Sequence, residues 1–454
     1  MLSIKSFNNY SGLVIILTVL IVLFQGIKLK RYTRNEIVRY DAVSYYAYLP
    51  AAVIYHDLSF EFTGALPESF EGVIWTHTSP NGKETLKMSM GVAFLLLPFF
   101  LIAHLLALLS PFPADGYSAI YQFIILIGAV FYLLAGLLFL QKVLKQFFED
   151  RVVAISLVMV VVGTNLYYYT VAEPGMSHVF SFFLFNAFLF YLFKWNEQPH
   201  WKNSFLFALF AGLIILVRPA NILIMILPIL YWNKRGFRKQ VTWLWKQRMK
   251  VLFMVMVVFL VMLPQLVYWK YSTGSWVYYS YGEEGFYFNN PHIIDGLFSY
   301  RKGWFVYTPI MLFSVVCLFF MRKRIPELFM PLSVFLLVNI YVVFSWWCWW
   351  YGGSFGARPM IESYGLLVLP FAVLIEKVIK QKIWIKILAA LLLIFFIYLN
   401  LFQSRQYRIT MIHWDSMTEQ AYWKVFLREQ WPEDYEKLIS PPDYAKALKG
   451  ENED

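Results

Sequence analysis

Residues 117–140 read YSAIYQFIILIGAVFYLLAGLLFL, a run without a charged side chain. An α-helix rises about 1.5 Å per residue, so this run is long enough to cross the roughly 30 Å hydrocarbon core of a bilayer. Runs of the same kind cover residues 12–27 and 251–268. Because a soluble core does not need several such runs in one chain, the sequence predicts an all-α polytopic membrane protein.

The composition agrees with this prediction. Apolar residues make up 59% of the 454 and charged residues only 15%, whereas soluble proteins are about half apolar and a quarter charged. The net charge of +11 lies in short loops between apolar runs, without a basic face or an aromatic–basic RNA motif, which argues against nucleic acid as a partner. Cys317 and Cys348 lack metal-ligand spacing and make only a weak case for a disulfide.

The apolar pattern predicts eleven membrane spans and a break at Arg218-Pro219, where proline interrupts the helical hydrogen bonds. The predicted spans are 11–27, 117–140, 152–168, 178–195, 204–217, 219–233, 251–268, 304–321, 328–344, 362–376 and 385–402. The first is predicted to be a retained helix, since no small-residue cleavage site follows it. The segment 91–109 is also apolar enough to span, but counting it would reverse the side of residues 28–88. It is therefore interpreted as lying along the outer interface or dipping in and returning.

The distribution of Lys and Arg predicts which loops face the cytoplasm. The loops 233–250, 322–324 and 377–386 are rich in both and are predicted to be cytoplasmic, although the basic stretch 28–39 favours the opposite side for the first loop. The segments predicted to face outward are 28–116, 163–177, 269–303, 345–361 and the tail 403–454. The expected organisation is a transmembrane domain over 1–402 and an extramembrane tail.

The first outer loop places Asp41 at the head of the aromatic stretch AVSYYAYLP, which includes Tyr45. A carboxylate near a membrane surface, with Arg39 close by, suits a general base or a cation ligand. The alternative is a helix N-cap, and the two roles can coexist.

The second outer loop carries Glu173 and His178 on either side of Pro174-Gly175. A carboxylate with an imidazole suits metal binding or proton transfer. Two residues make a weak metal signature, and hydrogen bonding at the start of a helix is the competing interpretation.

The third and fourth outer loops combine aromatic and basic residues. Arg301-Lys302 precede a predicted span, and WWCWWYGGSFGARP at 346–359 contains Trp350 and Arg358. Aromatic faces can stack on sugars, and outward basic residues, with Arg218 as a further one, indicate an anionic partner such as a phosphate. The competing interpretations are an aromatic belt and basic side chains that reach lipid phosphates.

These strings resemble the GT-C superfamily of integral-membrane glycosyltransferases, which includes protein O-mannosyltransferases, the aminoarabinose transferase of lipid A and oligosaccharyltransferase catalytic subunits. RYDAVSYYAYLP at 39–50 matches the position of that superfamily's essential acid in the first outer loop. The strings similar to bacterial members are GTNLYYY (163–169), RPAN (218–221), LFSYRKGWFVYTP (297–309) and WWCWWYGGSFGARP. The resemblance covers most of 1–402 and implies juxtamembrane helices in the first outer loop, one of them 91–109.

The resemblance implies inverting sugar transfer from a polyprenyl-phosphate-linked donor to a glycan, lipid or protein acceptor, at the outer face of a bacterial inner membrane. Asp41 would deprotonate or orient the acceptor hydroxyl. The residues expected to bind substrate or to stabilise the leaving phosphate are Arg218, Arg301, Lys302, Arg358, Glu173, His178, Tyr45 and Trp350. Many members have a second acid beside the first, whereas here Ala42 follows Asp41, which leaves open whether a divalent cation is used.

Two other functions fit part of the pattern. A membrane glycan ligase or polymerase is chemically close to the first, whereas a transporter for a lipid-linked substrate predicts charges within spans and two related halves. The predicted spans contain few charges, no internal repeat is visible, and the acids gather at one face, which favours surface chemistry. The sequence has no Gly-rich phosphate loop, nucleophile elbow or zinc-binding helix motif.

Overall fold

The structure is a computed structural model that describes residues 9–66, 73–232 and 235–451. Its α-helices, in chain order, are α1 (Tyr10–Leu29), α2 (Asp41–Tyr46), α3 (Tyr48–Val53), α4 (Gly91–Leu108), α5 (Ala119–Leu144), α6 (Asp150–Val162), α7 (Leu166–Val171), α8 (His178–Glu197), α9 (Trp201–Val217), α10 (Ile226–Leu230), α11 (Phe237–Lys246), α12 (Arg248–Thr273), α13 (Ile293–Phe298), α14 (Trp304–Tyr307), α15 (Ile310–Arg324), α16 (Pro326–Phe344), α17 (Tyr364–Ile379), α18 (Ile383–Arg408), α19 (Glu419–Val425) and α20 (Tyr444–Leu448). Short 3₁₀ helices cover Arg31–Arg34, Glu61–Ala65, Pro219–Met225, Arg358–Ser363 and Tyr435–Lys437. The strands β1 (His77–Thr78) and β2 (Glu84–Thr85) form one antiparallel pair.

Eight helices among the described residues are long and apolar enough to cross a bilayer, judged by length and composition. They are α1, α4, α5, α8, α12, α16, α18, and α17 with the 3₁₀ turn before it. The predicted class, an all-α multi-pass membrane protein, is therefore confirmed. The count of eleven is not reached by this criterion, because several predicted spans are built from shorter pieces.

The predicted span 152–168 is one of these interrupted spans. Helix α6 ends at Val162 and α7 begins at Leu166. The side-chain amide of Asn400, on α18, donates to the carbonyl oxygens of Val162 and Thr164, each at 2.9 Å. The last carbonyls of a helix have no intrahelical partner, and an apolar environment makes each unpaired group costly. Asn400 thus stabilises the break.

Asn165 occupies the break itself and is fully buried. Its side chain donates to the carbonyl oxygen of Phe355 at 2.9 Å and accepts from the Tyr364 hydroxyl at 2.7 Å. Both partners lie far along the chain, so this one amide joins α7 to the segment before α17.

Replacing Asn165 with Ala is expected to destabilise the fold, because it removes both buried hydrogen bonds. Each lost bond that leaves a buried partner unsatisfied costs about 1–3 kcal/mol. Thermal unfolding in detergent measures the effect. The control is Asn203→Ala, whose amide bonds the Gln198 carbonyl oxygen (2.8 Å) in an exposed setting; equal melting temperatures for the two variants would contradict the expectation.

The break at Arg218-Pro219 is confirmed. Helix α9 ends at Val217, Arg218 adopts an extended conformation with φ −150° and ψ 113°, and Pro219 begins a 3₁₀ helix. Proline suits the first turn of a helix because that position needs no N–H donor. The consequence is that Arg218 stands at the end of α9 instead of inside a continuous span.

The chain divides into two compact units. Unit 1 contains residues 1–22, 134–168 and 287–454, and unit 2 contains residues 23–133 and 169–286.

The C-terminal tail belongs to unit 1 and packs within it. Helix α18 extends to Arg408, and Gln403 near its end donates to the Tyr422 hydroxyl of α19 at 2.9 Å. Farther along, the Tyr444 hydroxyl donates to the Asp415 carboxylate at 2.8 Å. The tail is thus folded onto the unit by hydrogen bonds that its polar sequence did not predict.

In unit 2, helix α4 runs beside the first half of α5 in the opposite direction. The His104 ring nitrogen lies 2.6 Å from the Tyr121 hydroxyl, and the Tyr132 hydroxyl donates to the Leu95 carbonyl oxygen at 2.7 Å. Residues later in α4 therefore meet residues earlier in α5.

Candidate functional site

Asp41 is the first residue of α2 and is partly exposed. The residue at the N-cap position is Tyr40, which makes no side-chain cap hydrogen bond. Tyr40 has φ 54° and ψ −136° and is 73% exposed. A positive φ at a bulky residue is uncommon and costs free energy. The N-cap interpretation of Asp41 therefore does not describe its position in the helix.

Hydrogen bonds to the start of α5 hold α2 in place. The Ile37 amide donates to the Gln122 side chain at 2.9 Å, and the same side chain donates to Asn35 at 3.0 Å. The Tyr46 hydroxyl, at the end of α2, donates to the Gly116 carbonyl oxygen at 2.5 Å. The helix that carries Asp41 is therefore anchored at both ends.

Gly175 allows the loop 163–177 to lie against α2. A Cβ added at Gly175 would stand 2.9 Å from the Ala42 Cβ and 3.1 Å from the Ile37 carbonyl oxygen. A glycine is therefore required for this close approach. The contact places Gly175, two residues after Glu173, beside Ala42, which follows Asp41.

Tyr281 lies where several charged groups of unit 2 meet. Burial raises the pKa of the Tyr281 phenol above its usual value, and the neighbouring Tyr45 raises it further. The charge of Arg218 lowers the pKa of Tyr281, whereas the charges of Asp41 and Glu284 raise it. Electrostatic interaction with one phenol thus links residues from the first loop, the end of α9 and the third loop. The phenol stays protonated near neutral pH, and its hydroxyl donates to the Met88 sulfur at 3.4 Å.

Lys87 and Glu284 form an ion pair beside this phenol. The Lys87 ammonium lies 5.2 Å from the centre of the Tyr281 ring, and the Ser280 hydroxyl donates to the Lys87 carbonyl oxygen at 2.6 Å. Lys87 immediately precedes the residues that lead into α4. The segment that contains Ser280 and Glu284 is thus attached to the segment that leads into α4.

Arg218 is positioned by the close approach of α4 to α9. A Cβ added at Gly91 would collide with the backbone of Leu216 and Val217. The Ser89 hydroxyl also contacts the Val217 carbonyl oxygen at 3.4 Å. The first residue of α4 therefore lies directly against the residues that precede Arg218.

Glu173 and His178 lie in unit 2 near the start of α8. Glu173 is partly exposed in a turn closed by the Met176 amide, which donates to the Glu173 carbonyl oxygen at 3.1 Å. His178 is the first residue of α8, is 1% exposed, and packs edge-on against Tyr169 with 4.7 Å between ring centres. The imidazole is thus part of the packed helix start.

Arg301 and Lys302 lie in unit 1 and bind the backbone of the tail and of the fourth loop. Arg301 donates to the carbonyl oxygens of Asp415 (2.7 Å) and Ser440 (3.3 Å). Lys302 is 1% exposed, and its ammonium donates to the carbonyl oxygens of Ser354 and His413. These contacts give both residues a role in holding unit 1 together.

Trp350 and Arg358 also lie in unit 1. Trp350 is 1% exposed and packs against Tyr444 of α20, with 5.4 Å between ring centres. This places its indole in the core beneath the tail. Arg358 is partly exposed at the start of a 3₁₀ helix.

Unit 1 contains a cavity of about 510 Å³ between α13 and the tail. Its lining includes Asp295, Phe298, Arg301 and Glu419. Arg301 is the predicted site residue that reaches this cavity.

The candidate residues therefore fall into two groups. Asp41, Tyr45, Glu173, His178 and Arg218 belong to unit 2, where Asp41, Tyr45 and Arg218 each affect the pKa of Tyr281. The residues that belong to unit 1 are Arg301, Lys302, Trp350 and Arg358. Within the described part of the chain, no group of three or more His, Cys, Asp or Glu residues could hold a metal ion. Both cysteines are free and buried.

Sequence reasoning did not select Tyr281 or Lys87. Tyr281 is one of 31 tyrosines in the chain and stands in a loop that contains several others. Its proximity to Glu283-Glu284 was the available signal, because an aromatic hydroxyl beside acids is suited to polar recognition. Lys87 ends a long loop, and only folding brings it to Glu284.

The chain matches no known protein-family model and no curated protein sequence.

Proposed function

We propose that the protein is an inverting glycosyltransferase that moves a sugar from a polyprenyl-phosphate-linked donor to an acceptor hydroxyl at the outer face of a bacterial inner membrane. The observation that carries this proposal lies in unit 2: Asp41, Arg218 and Glu284 all affect the pKa of Tyr281, and Lys87, the ion-pair partner of Glu284, lies 5.2 Å from the centre of the Tyr281 ring. The pair of Asp41 and Arg218 suits the proposed reaction. A carboxylate can take the proton of the acceptor hydroxyl, and a guanidinium can stabilise the phosphate that leaves the donor.

In the proposed reaction, the acceptor oxygen attacks the anomeric carbon of the donor and the bond from that carbon to the phosphate oxygen breaks. Asp41 takes the acceptor's proton, and attack from the face opposite the phosphate inverts the anomeric centre. Arg218 stabilises the charge that develops on the phosphate, because a guanidinium binds phosphate oxygens through two parallel N–H groups. Tyr281 exchanges its hydrogen bond to the Met88 sulfur for one to a substrate oxygen.

The proposal includes the eleven predicted spans, with α4 as a helix that does not change the side of the chain. Residues before and after α4 contact one another: the Tyr46 hydroxyl bonds Gly116, and the Tyr55 hydroxyl donates to the Asp115 carbonyl oxygen at 3.1 Å. The start of α4 meets the same helix pair, since the Tyr48 hydroxyl donates to the Met88 carbonyl oxygen at 2.7 Å. These contacts hold the residues on both sides of α4 against α2 and α3, and they support the proposal that α4 does not change the side of the chain.

The proposal is tested by reconstituting the purified protein with a panel of polyprenyl-phosphate sugars and candidate acceptors. The expected result is release of polyprenyl phosphate together with a glycosylated product of inverted configuration at the anomeric carbon. Net movement of an intact lipid-linked sugar across the bilayer, without release of polyprenyl phosphate, would instead identify a transporter.

Gly175→Ala is expected to slow this reaction. The new methyl group would be too close to Ala42 and Ile37 and would push the loop 163–177 away from α2. Overpacking costs about 1–3 kcal/mol, and a 1 Å misplacement of a reacting group can cost about 10²-fold in rate. The expected loss of rate is on the order of tenfold or more. Gly285→Ala is the matched control, since no atom lies within 4 Å of the Cβ that it adds. Wild-type rates in both variants would show that the contact with α2 does not position Asp41.

A further inference from the structure

Helix α11 has three faces of different chemistry. Its sequence is FRKQVTWLWK, and the segment 235–250 around it contains no acidic residue. Phe237, Val241 and Trp245 recur every fourth residue and therefore lie on one face of the helix. They are 62%, 50% and 71% exposed, respectively. Such an exposed apolar stripe is unusual on a surface that faces only water.

The opposite side of α11 is fixed to the end of α8. Arg235, just before the helix, donates to the Asn196 carbonyl oxygen at 2.7 Å and to the Gln240 side chain at 3.1 Å. The Trp243 ring packs edge-on against Trp195 with 4.8 Å between ring centres. Gln240 is buried. This attachment holds the helix in one orientation, so the exposed stripe is a fixed surface.

The apolar stripe continues onto α12. Only Gln247 separates α11 from α12, which begins at Arg248. The first turns of α12 expose Met249 and Leu252, each by 62%. Helix α12 is one of the eight helices suited to cross a bilayer. The exposed face of α11 is therefore continuous with a surface suited to lipid chains.

Arg238 lies beside the stripe, whereas Lys239 and Lys246 lie on the side of α11 that faces away from it. Arg238, Lys239 and Lys246 are exposed, and within the described residues none of the three forms an ion pair. An amphipathic helix with aromatic residues on one face and Lys/Arg on the other lies in the interface plane, and its charges attract anionic lipids.

We propose that α11 is a binding surface for anionic phospholipid at the membrane face opposite Asp41. Phe237, Val241 and Trp245 enter the acyl boundary, Arg238 beside them binds headgroup phosphates, and Lys239 and Lys246 add positive charge that attracts the anionic surface. The surface lies on unit 2 and does not depend on the proposed reaction.

The test measures binding of phosphatidylglycerol and phosphatidylcholine to the purified full-length protein by native mass spectrometry. The wild-type protein is expected to retain phosphatidylglycerol in preference to phosphatidylcholine. The triple variant R238Q/K239Q/K246Q is expected to bind it about 100-fold more weakly, from the contribution of each basic residue near an anionic surface. The charge-preserving variant R238K/K239R/K246R is expected to retain binding, which separates loss of charge from failure to fold.

The control R322Q/K323Q/K382Q removes three exposed basic residues from unit 1 and is expected to leave the preference nearly unchanged. Equal losses in the control and the α11 variant, or no lipid preference in the wild type, would overturn the proposal. Inorganic phosphate provides a further arm: displacement of phosphatidylglycerol by phosphate at matched ionic strength would overturn a lipid surface in favour of a site for free phosphate.

Discussion

Asp41→Asn is expected to lower the rate of the proposed sugar transfer by about 10²–10⁴-fold, the range typical for loss of a general base. The amide keeps the size of the side chain but cannot accept the acceptor's proton. Because Asp41 is partly exposed at the start of α2 and Tyr40 holds the N-cap position, folding and insertion should be preserved. The measurement is the rate of product formation in proteoliposomes, with protein amount and melting temperature determined in parallel.

Glu61→Gln is the matched control for this prediction. Glu61 is an exposed acid in the same loop and begins a short 3₁₀ helix. Its neutralisation removes the same charge from the same segment without touching the cluster around Tyr281. A normal rate for Asp41→Asn at normal expression would remove Asp41 from any catalytic role.

Arg218→Gln is expected to cause the second large effect, a fall in kcat on the order of 10²–10³-fold, because phosphate charge in the transition state loses its guanidinium. Arg218→Lys should recover only part of this loss, since an ammonium cannot bind two phosphate oxygens in the same planar geometry. Arg218 lies outside α9, so the substitution does not interrupt that helix.

The kinetic signature distinguishes this role from a structural one. A donor with a better leaving group needs less stabilisation of the phosphate, so it should lose less rate in Arg218→Gln than the natural type of donor does. Lys83→Gln is the control: it removes one positive charge from the first loop, where the ammonium lies 3.4 Å from the Tyr271 ring centre. An equal loss for both donors would mean that Arg218 supports the fold and not the leaving group.

The features predicted correctly are those that depend on local sequence. The long uncharged runs predict membrane-spanning helices because hydrocarbon thickness alone sets their length. Arg218-Pro219 predicts a helix end because proline removes a donor wherever it stands. Asp41 was selected because it is an acid in an aromatic stretch, and its catalytic role stays a prediction.

The features missed depend on contacts between distant residues. Asn165 and Asn400 complete the break after α6 through partners about 190–240 residues away, and no local pattern encodes such pairs. The phosphate-binding role of Arg301 and Lys302 stays a prediction, and what the sequence did not indicate is that both donate to carbonyl oxygens more than 50 residues away. Backbone carbonyls leave no trace in the sequence, so basic residues that bind them look the same as basic residues that bind a ligand.

The central claim is that Asp41 lies at the outer face together with the third loop. Single cysteines at Tyr40 and Glu283, two exposed positions, and at Trp245 of α11 test it in a Cys317→Ser, Cys348→Ser background. A membrane-impermeant thiol reagent added to intact cells should label positions 40 and 283, and should label 245 only after permeabilisation. Labelling of 283 without 40, or of 40 and 245 together, would contradict the account.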